Sequence, residues 1–184
     1  MLFTILYMLT ILLMEKKDKE IYKGLSDTDA LTGLFNRRAF QTAVDETLLK
    51  RISGVFIFID VDNFKDYNDK YGHANGDLCL KHFAATMKKC FPKDSILGRY
   101  GGDEFVVYIK NAASDDAHRY MDEFQREISH LMMSGGEHVM VSASAGGVAF
   151  IGEERICSLC RSADNMLYDV KRNGKGTFKM KGAK

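Results

Sequence analysis

A chain of 184 residues with 46% hydrophobic content is long enough to bury one proper core. Its formal net charge of +1 supplies no overall field to draw it onto nucleic acid, so no nucleic-acid partner is expected. Four cysteines (Cys79, Cys90, Cys157, Cys160) are too few at this length for a disulfide framework, and the lone C-x-x-C lacks a second pair or a nearby His for zinc. Reduced thiols are expected.

Met1 to Met14 is an apolar run ahead of a charged linker. As a helix it would span about 21 Å, against roughly 30 Å of bilayer hydrocarbon. It has no basic stretch before it and no small-residue cleavage site, which argues against a signal peptide. An interfacial membrane anchor, a truncated membrane span and a helix buried in a partner are all open readings. The Lys16-Lys17 flank puts the C-terminal remainder of the chain in the cytoplasm, at the inner face of the plasma membrane if the segment inserts.

The expected domain runs over 27–180, with 1–26 as apolar segment and linker and 181–184 as a basic tail. Asn36 reads as the N-cap of a helix carrying Phe40, Val44, Leu48 and Leu49. GVFIFID (54–60) is a continuous apolar run, a strand buried on both faces that ends in an acid. A polar loop or short helix comes next, then a helix from Leu78 to Phe91 that Pro92 ends. SILGRY and EFVVYIK flank Gly101-Gly102 as a hairpin. Residues 114–133 read as a long amphipathic helix, and 138–150 as a strand with Gly146-Gly147 at a bend. A helix over 155–172 and a short strand, TFKMK, close the chain. This order gives an α/β (α+β) fold with a mostly antiparallel sheet.

Asp103 and Glu104 come directly after the Gly-Gly turn, although acids are poor strand formers. Asp60 is carried out of a buried strand to the sheet's end, where a charge must be paired or bind metal. If the two strands are neighbours, three carboxylates converge and need a cation. Hard oxygen ligands suit Mg²⁺ rather than zinc. Three solvated loop acids are the plain alternative. No P-loop is present, and NGKGT at 173–177 fails that spacing.

Five ordered motifs carry a resemblance: DALTGLFNRRAF (29–40), DVDNFKDYNDKYGHANGD (60–77), RYGGDEF (99–105), SASAGGVAF (142–150) and ADNMLYDVKRNGKG (163–176). The chain resembles the GGDEF domain, the diguanylate cyclase family. That resemblance implies a palm-like nucleotide-cyclase fold with a central five-stranded, mostly antiparallel sheet flanked by helices. It implies condensation of two GTP into cyclic di-GMP with release of two pyrophosphates, dependent on Mg²⁺ or Mn²⁺, in a homodimer whose two sites meet.

By the same resemblance, Asp60, Asp103, Glu104 and the backbone carbonyl of Val61 are metal ligands. Glu104 is also the catalytic group acting on the ribose 3′-hydroxyl. Asn68 and Asp77 match the guanine readers, with His73 at a nucleotide-site position between them. A carboxylate accepts from guanine N1–H and the 2-amino group, which adenine cannot offer, and this supports discrimination of order ~10⁴. Amides around Asn63 and Phe64 would cradle the β- and γ-phosphates, and Lys171 matches the phosphate-binding lysine.

Two departures stand out. Gly174-Lys175-Gly176 replaces the usual Gly-Arg-Asn, which loses a bidentate fork. The inhibitory product motif R-x-x-D is absent, its two positions being Pro92 and Ser95. A catalytically silent GTP- or cyclic di-GMP-binding module is the second reading. The retained acids and the missing R-x-x-D both count against it.

Overall fold

The computed structural model describes Met8 and residues 27–129, 131–132, 138–151 and 154–182. The apolar N-terminal segment therefore lies, apart from Met8, outside the described residues. Among those described, no helix is long and apolar enough to cross a membrane.

In chain order the elements are β1 (Phe35–Asn36), α1 (Arg37–Leu49), β2 (Gly54–Val61), α2 (Phe64–Tyr71), α3 (His73–Cys90), β3 (Ile96–Gly101) and β4 (Glu104–Lys110). They continue as α4 (Ser114–Ile128), β5 (Leu131–Met132), β6 (His138–Val139), β7 (Ala143–Phe150), α5 (Ile156–Arg172) and β8 (Phe178–Lys181). The main sheet has the order β1-β3-β4-β2-β7-β8, and β5 and β6 form a separate pair. Pairings are antiparallel in the middle and parallel at both edges, β1 with β3 and β7 with β8.

The expected five-stranded sheet is thus six-stranded. The additional strand, β1, is two residues long, too short to show a period of its own. Asn36 still caps α1, accepting from the Ala39 amide at 3.0 Å.

Strand β2 sits between β4 and β7 and is buried at all eight positions. Its odd residues Val55, Ile57, Ile59 and Val61 join Phe83, Met87, Phe105 and Phe124 in one core layer. Its even residues Phe56 and Phe58 join Phe40, Val106, Tyr108 and Leu167 in the other. Both faces are covered, so the strand reads as an unbroken apolar run and not as an alternation. The same parity puts Asp60, and its register partner Glu104, on the face covered by α5.

Three expectations are corrected. The helix placed at Leu78–Phe91 starts at His73, because Gly72 (φ +81°) breaks the polar segment into α2 and α3 without a loop. The helix over 114–133 stops at Ile128, and Leu131–Met132 is a short strand although its apolar residues prolong the helical spacing. Gly146 and Gly147 are not at a bend. Both pair within β7, and at Gly146 a Cβ would fall 2.2 Å from the Ala163 carbonyl oxygen and 2.2 Å from the Leu167 amide nitrogen. That glycine lets α5 lie directly on the sheet.

Candidate active site

The candidate site forms where β2 ends. Asp60 and Glu104 are direct cross-strand partners, so their side chains share one face and one end of the sheet. Asp103 occupies the two-residue tip with Gly102 (φ +34°), and its carbonyl accepts from the Val61 amide at 3.2 Å. A register shift between Arg99 and Gly101 re-aims this hairpin. Arg99 then ties it down, donating to the Gly102 carbonyl at 2.9 and 2.7 Å and to Asp29 at 3.1 and 3.3 Å. Asp29 also accepts from the Thr32 amide and hydroxyl. Burial works against its charge, but the Thr32 bonds and the Arg99 guanidinium outweigh burial and hold its pKa low.

Burial pushes the Asp60 carboxyl up, and the charges of Asp103 and Asp62 add to that, while Lys171 opposes it. Glu104 is raised by burial and then by Asp60 and Asp103. The opposing cation is Lys171, whose Nζ lies 2.8 Å from Asp60 Oδ2. Helix spacing explains its arrival: Ala163 and Leu167 pack over Gly146, and Lys171 is the next residue on that stripe. Among the described residues, no group of three or more His, Cys, Asp or Glu is placed so that it could hold a metal ion by itself. Asp60, Asp103 and Glu104 are near enough for the charge of Asp103 to bear on the other two. Hard oxygens with strained ionisation and a single ammonium among them fit a divalent cation of the Mg²⁺ kind.

Beyond β2 the chain turns at Asp62-Asn63, with Asn63 left-handed (φ +55°), and enters α2 at Phe64. One turn on, Asn68 places Oδ1 in the protein interior without a hydrogen-bond partner. That oxygen lies where a Cβ on Gly76 would sit, 1.9 Å away, so Gly76 lets α2 and α3 close together. Asn68 and Asp77 are thereby brought to one corner. Asp77 and His73 are both exposed there, in the first turn and a half of α3. A groove of about 870 Å³ along α4, lined by Asp115, His118, Arg119 and Arg126, shares no residue with this site.

Sequence reasoning missed Asp62. Its oxygens accept from Ser142 Oγ (2.8 Å), Ser144 Oγ (2.6 Å) and the Gly176 amide (3.0 Å). These partners lie 80 to 114 positions away, so no local pattern announces them. Lys175, which stands in place of the usual Arg, donates to Asn63 Oδ1 at 2.7 Å. Cys157 is exposed and Cys160 half-buried, both free.

The chain is 32% identical over 169 residues to the cyclic di-GMP phosphodiesterase PdeR of Escherichia coli K12, covering 89% of this chain and 25% of that protein. It is 32% identical over 162 residues to a diguanylate cyclase of Vibrio cholerae, covering 85% and 50%. The chain thus spans a quarter to a half of the length of these relatives. The crystal structure of diguanylate cyclase SiaD of Pseudomonas aeruginosa, in complex with its activator SiaC, superposes with a TM-score of 0.81. Identity there is 29%, over 94% of this chain and 68% of that one. Residues 26–177 match the family described as "Diguanylate cyclase, GGDEF domain", and the chain belongs to that family.

Proposed function

We propose that this chain is a diguanylate cyclase that joins two GTP molecules into cyclic di-GMP. The observation that carries the reading is the Asp60–Glu104 cross-strand pair beside Asp103, three acids sharing a site with one lysine. A structural dimerisation module would have no use for such a costly cluster. The phosphodiesterase named among the relatives shows that likeness of sequence alone does not decide the activity. The retained acids favour synthesis.

Asp60, Asp103, Glu104 and the Val61 carbonyl would hold Mg²⁺ or Mn²⁺, which supplies acidification of the ribose 3′-hydroxyl and charge neutralisation on the departing pyrophosphate. Glu104 accepts the 3′-hydroxyl proton, and its raised pKa makes it a better base than a solvated carboxylate. The freed oxygen bonds to the α-phosphorus of the other GTP, the α–β phosphoanhydride bond breaks, and the electron pair leaves with pyrophosphate. A second such step closes the ring.

The Asn63 and Phe64 amides and Lys171 receive the β- and γ-phosphates. Asn68 and Asp77 take the guanine edge, with His73 beside them. One domain positions one GTP, so two domains must face each other, and the proximity gain belongs to the homodimer.

The test is incubation with GTP and Mg²⁺, then product identification by mass. Cyclic di-GMP should form from GTP and nothing from ATP, at a specific activity that falls on dilution to monomer. Glu104→Gln should abolish turnover and leave GTP binding measurable. Wild-type turnover by that variant, or no product from the wild-type dimer, would overturn the assignment.

A further inference from the structure

Asp60 and Asp62 are two residues apart and have opposite surroundings. Asp60 meets one ammonium. Both oxygens of Asp62 are filled by uncharged donors from its own chain: Oδ1 by Ser144, Oδ2 by Ser142 and by the Gly176 amide. The Gly176 amide is shared with Ser144 Oγ at 3.1 Å. Ser144 is fully buried, so the far end of this network is fixed in the sheet.

The network joins three segments: the turn after β2, the start of β7, and the loop between α5 and β8. That loop runs through three successive left-handed residues, Gly174 (φ +119°), Lys175 (φ +60°) and Gly176 (φ +63°). Lys175 carries a Cβ and enters that region only at a cost. The Lys175 amide donates to the Val170 carbonyl at 3.2 Å, which closes the end of α5, and the Asp62 bonds at the next residue tie the loop to the turn. The result is that Lys175 Nζ reaches Asn63 Oδ1 at 2.7 Å, above the turn.

We propose that Asp62 is a positioning residue: through Ser142, Ser144 and Gly176 it clamps the basic loop over the 61–64 turn, so that the loop's lysine meets the substrate's terminal phosphates. The clamp rests on the cyclase reading of the site. Its expected effect has a sign that plain electrostatics reverses. Removing a carboxylate beside a triphosphate should tighten binding by charge alone. Removing a clamp should weaken it.

The experiment compares wild type, Asp62→Asn, Ser142→Ala and Ser142→Thr. Affinities are measured by calorimetry with Mg²⁺ for GMP and for a non-reacting GTP analogue with a methylene between the α and β phosphorus atoms. Amide hydrogen exchange over 173–178 is measured without nucleotide. For Asp62→Asn the analogue should bind about tenfold more weakly, GMP within about twofold of wild type, and exchange at 173–178 should quicken about tenfold or more. Ser142→Ala should lose about threefold for the analogue, and Ser142→Thr, which keeps the hydroxyl, should recover it.

The clamp is refuted if the analogue binds Asp62→Asn equally or more tightly, if Ser142→Thr behaves as Ser142→Ala, or if exchange is unchanged. A wild-type protein that binds neither nucleotide would remove the functional reading beneath the proposal. The exchange rates alone would then decide on the clamp.

Discussion

Lys171 and Asp60 are paired at 2.8 Å, although each has a role in the proposed reaction with a different partner. The ammonium offsets the carboxylate that burial has made costly, and so it stands where a divalent cation would bring the same relief. In the proposed reaction, loading the site should release the lysine to the phosphates. Lys171→Met should tighten Mn²⁺ binding in the absence of nucleotide by roughly two- to fivefold, the scale of one partly exposed ion pair. It should weaken binding of the GTP analogue. Unchanged or weaker Mn²⁺ binding, read by paramagnetic relaxation, would show that the pair does not compete with metal.

The raised pKa values of Asp60 and Glu104 carry a stability cost whose sign can be worked out. The native state keeps these protons to higher pH than the unfolded chain does, so it binds more protons between the unfolded and the raised native values. Stability then falls as pH rises through that window, and the cost is fully present above it. Glu104→Gln, which cannot ionise, should melt a few degrees above wild type at pH 7 without metal. The gap should close as pH falls below the ordinary carboxylate range. A gap that widened with acid would reverse the argument.

Gly146 is where helix α5 touches the sheet. A Cβ there meets backbone of Ala163 and Leu167 at 2.2 Å, and neither can move as a side chain could. Gly146→Ala should cost about 2–3 kcal/mol, in the upper part of the range for overpacking. Thermal melting should fall by roughly 4–12 °C. The same displacement should carry Lys171 away from Asp60. A variant that melts with wild type would mean the helix has room to lift.

The positions of an inhibitory product site hold Pro92 and Ser95 in the turn between α3 and β3, where the Ser95 amide donates to the Pro92 carbonyl at 2.9 Å. Ser95 Oγ is buried and unpartnered, so it is not presented to a ligand. Neither residue offers a charged fork. Cyclic di-GMP should therefore inhibit only by weak competition with GTP. Strong inhibition that excess GTP cannot relieve, in initial rates titrated with product, would locate a second site elsewhere.

How much of the fold and site is legible in the sequence depends on which residues signal locally. The β2 strand announces itself because both of its faces are buried, and the β3–β4 hairpin because Gly102 supplies the positive φ of its tip. Asn36 shows as a cap because its side chain bonds only three residues on. The site acids are legible as the polar ends of apolar strands. Other features depend on distant partners. Gly146 needs α5 to explain it, Asp62 needs Ser142, Ser144 and Gly176, and β1 needs the edge of β3. Each of these is a tertiary contact, and no window of sequence contains both partners.

The central position of β2 has a consequence for how the protein fails under denaturant. Asp60 is anchored in the strand with a neighbour on each side, whereas Lys175 and Gly176 sit in a surface loop held by side-chain bonds and by backbone bonds to Val170 and Ala145. Amides of β2 should exchange only on global unfolding, and those of the loop through local openings of far lower energy. The site is assembled from both ends of that scale. Activity should then be lost at a denaturant concentration that leaves the circular dichroism of the sheet intact: the catalytic unit comes apart before the folding unit does.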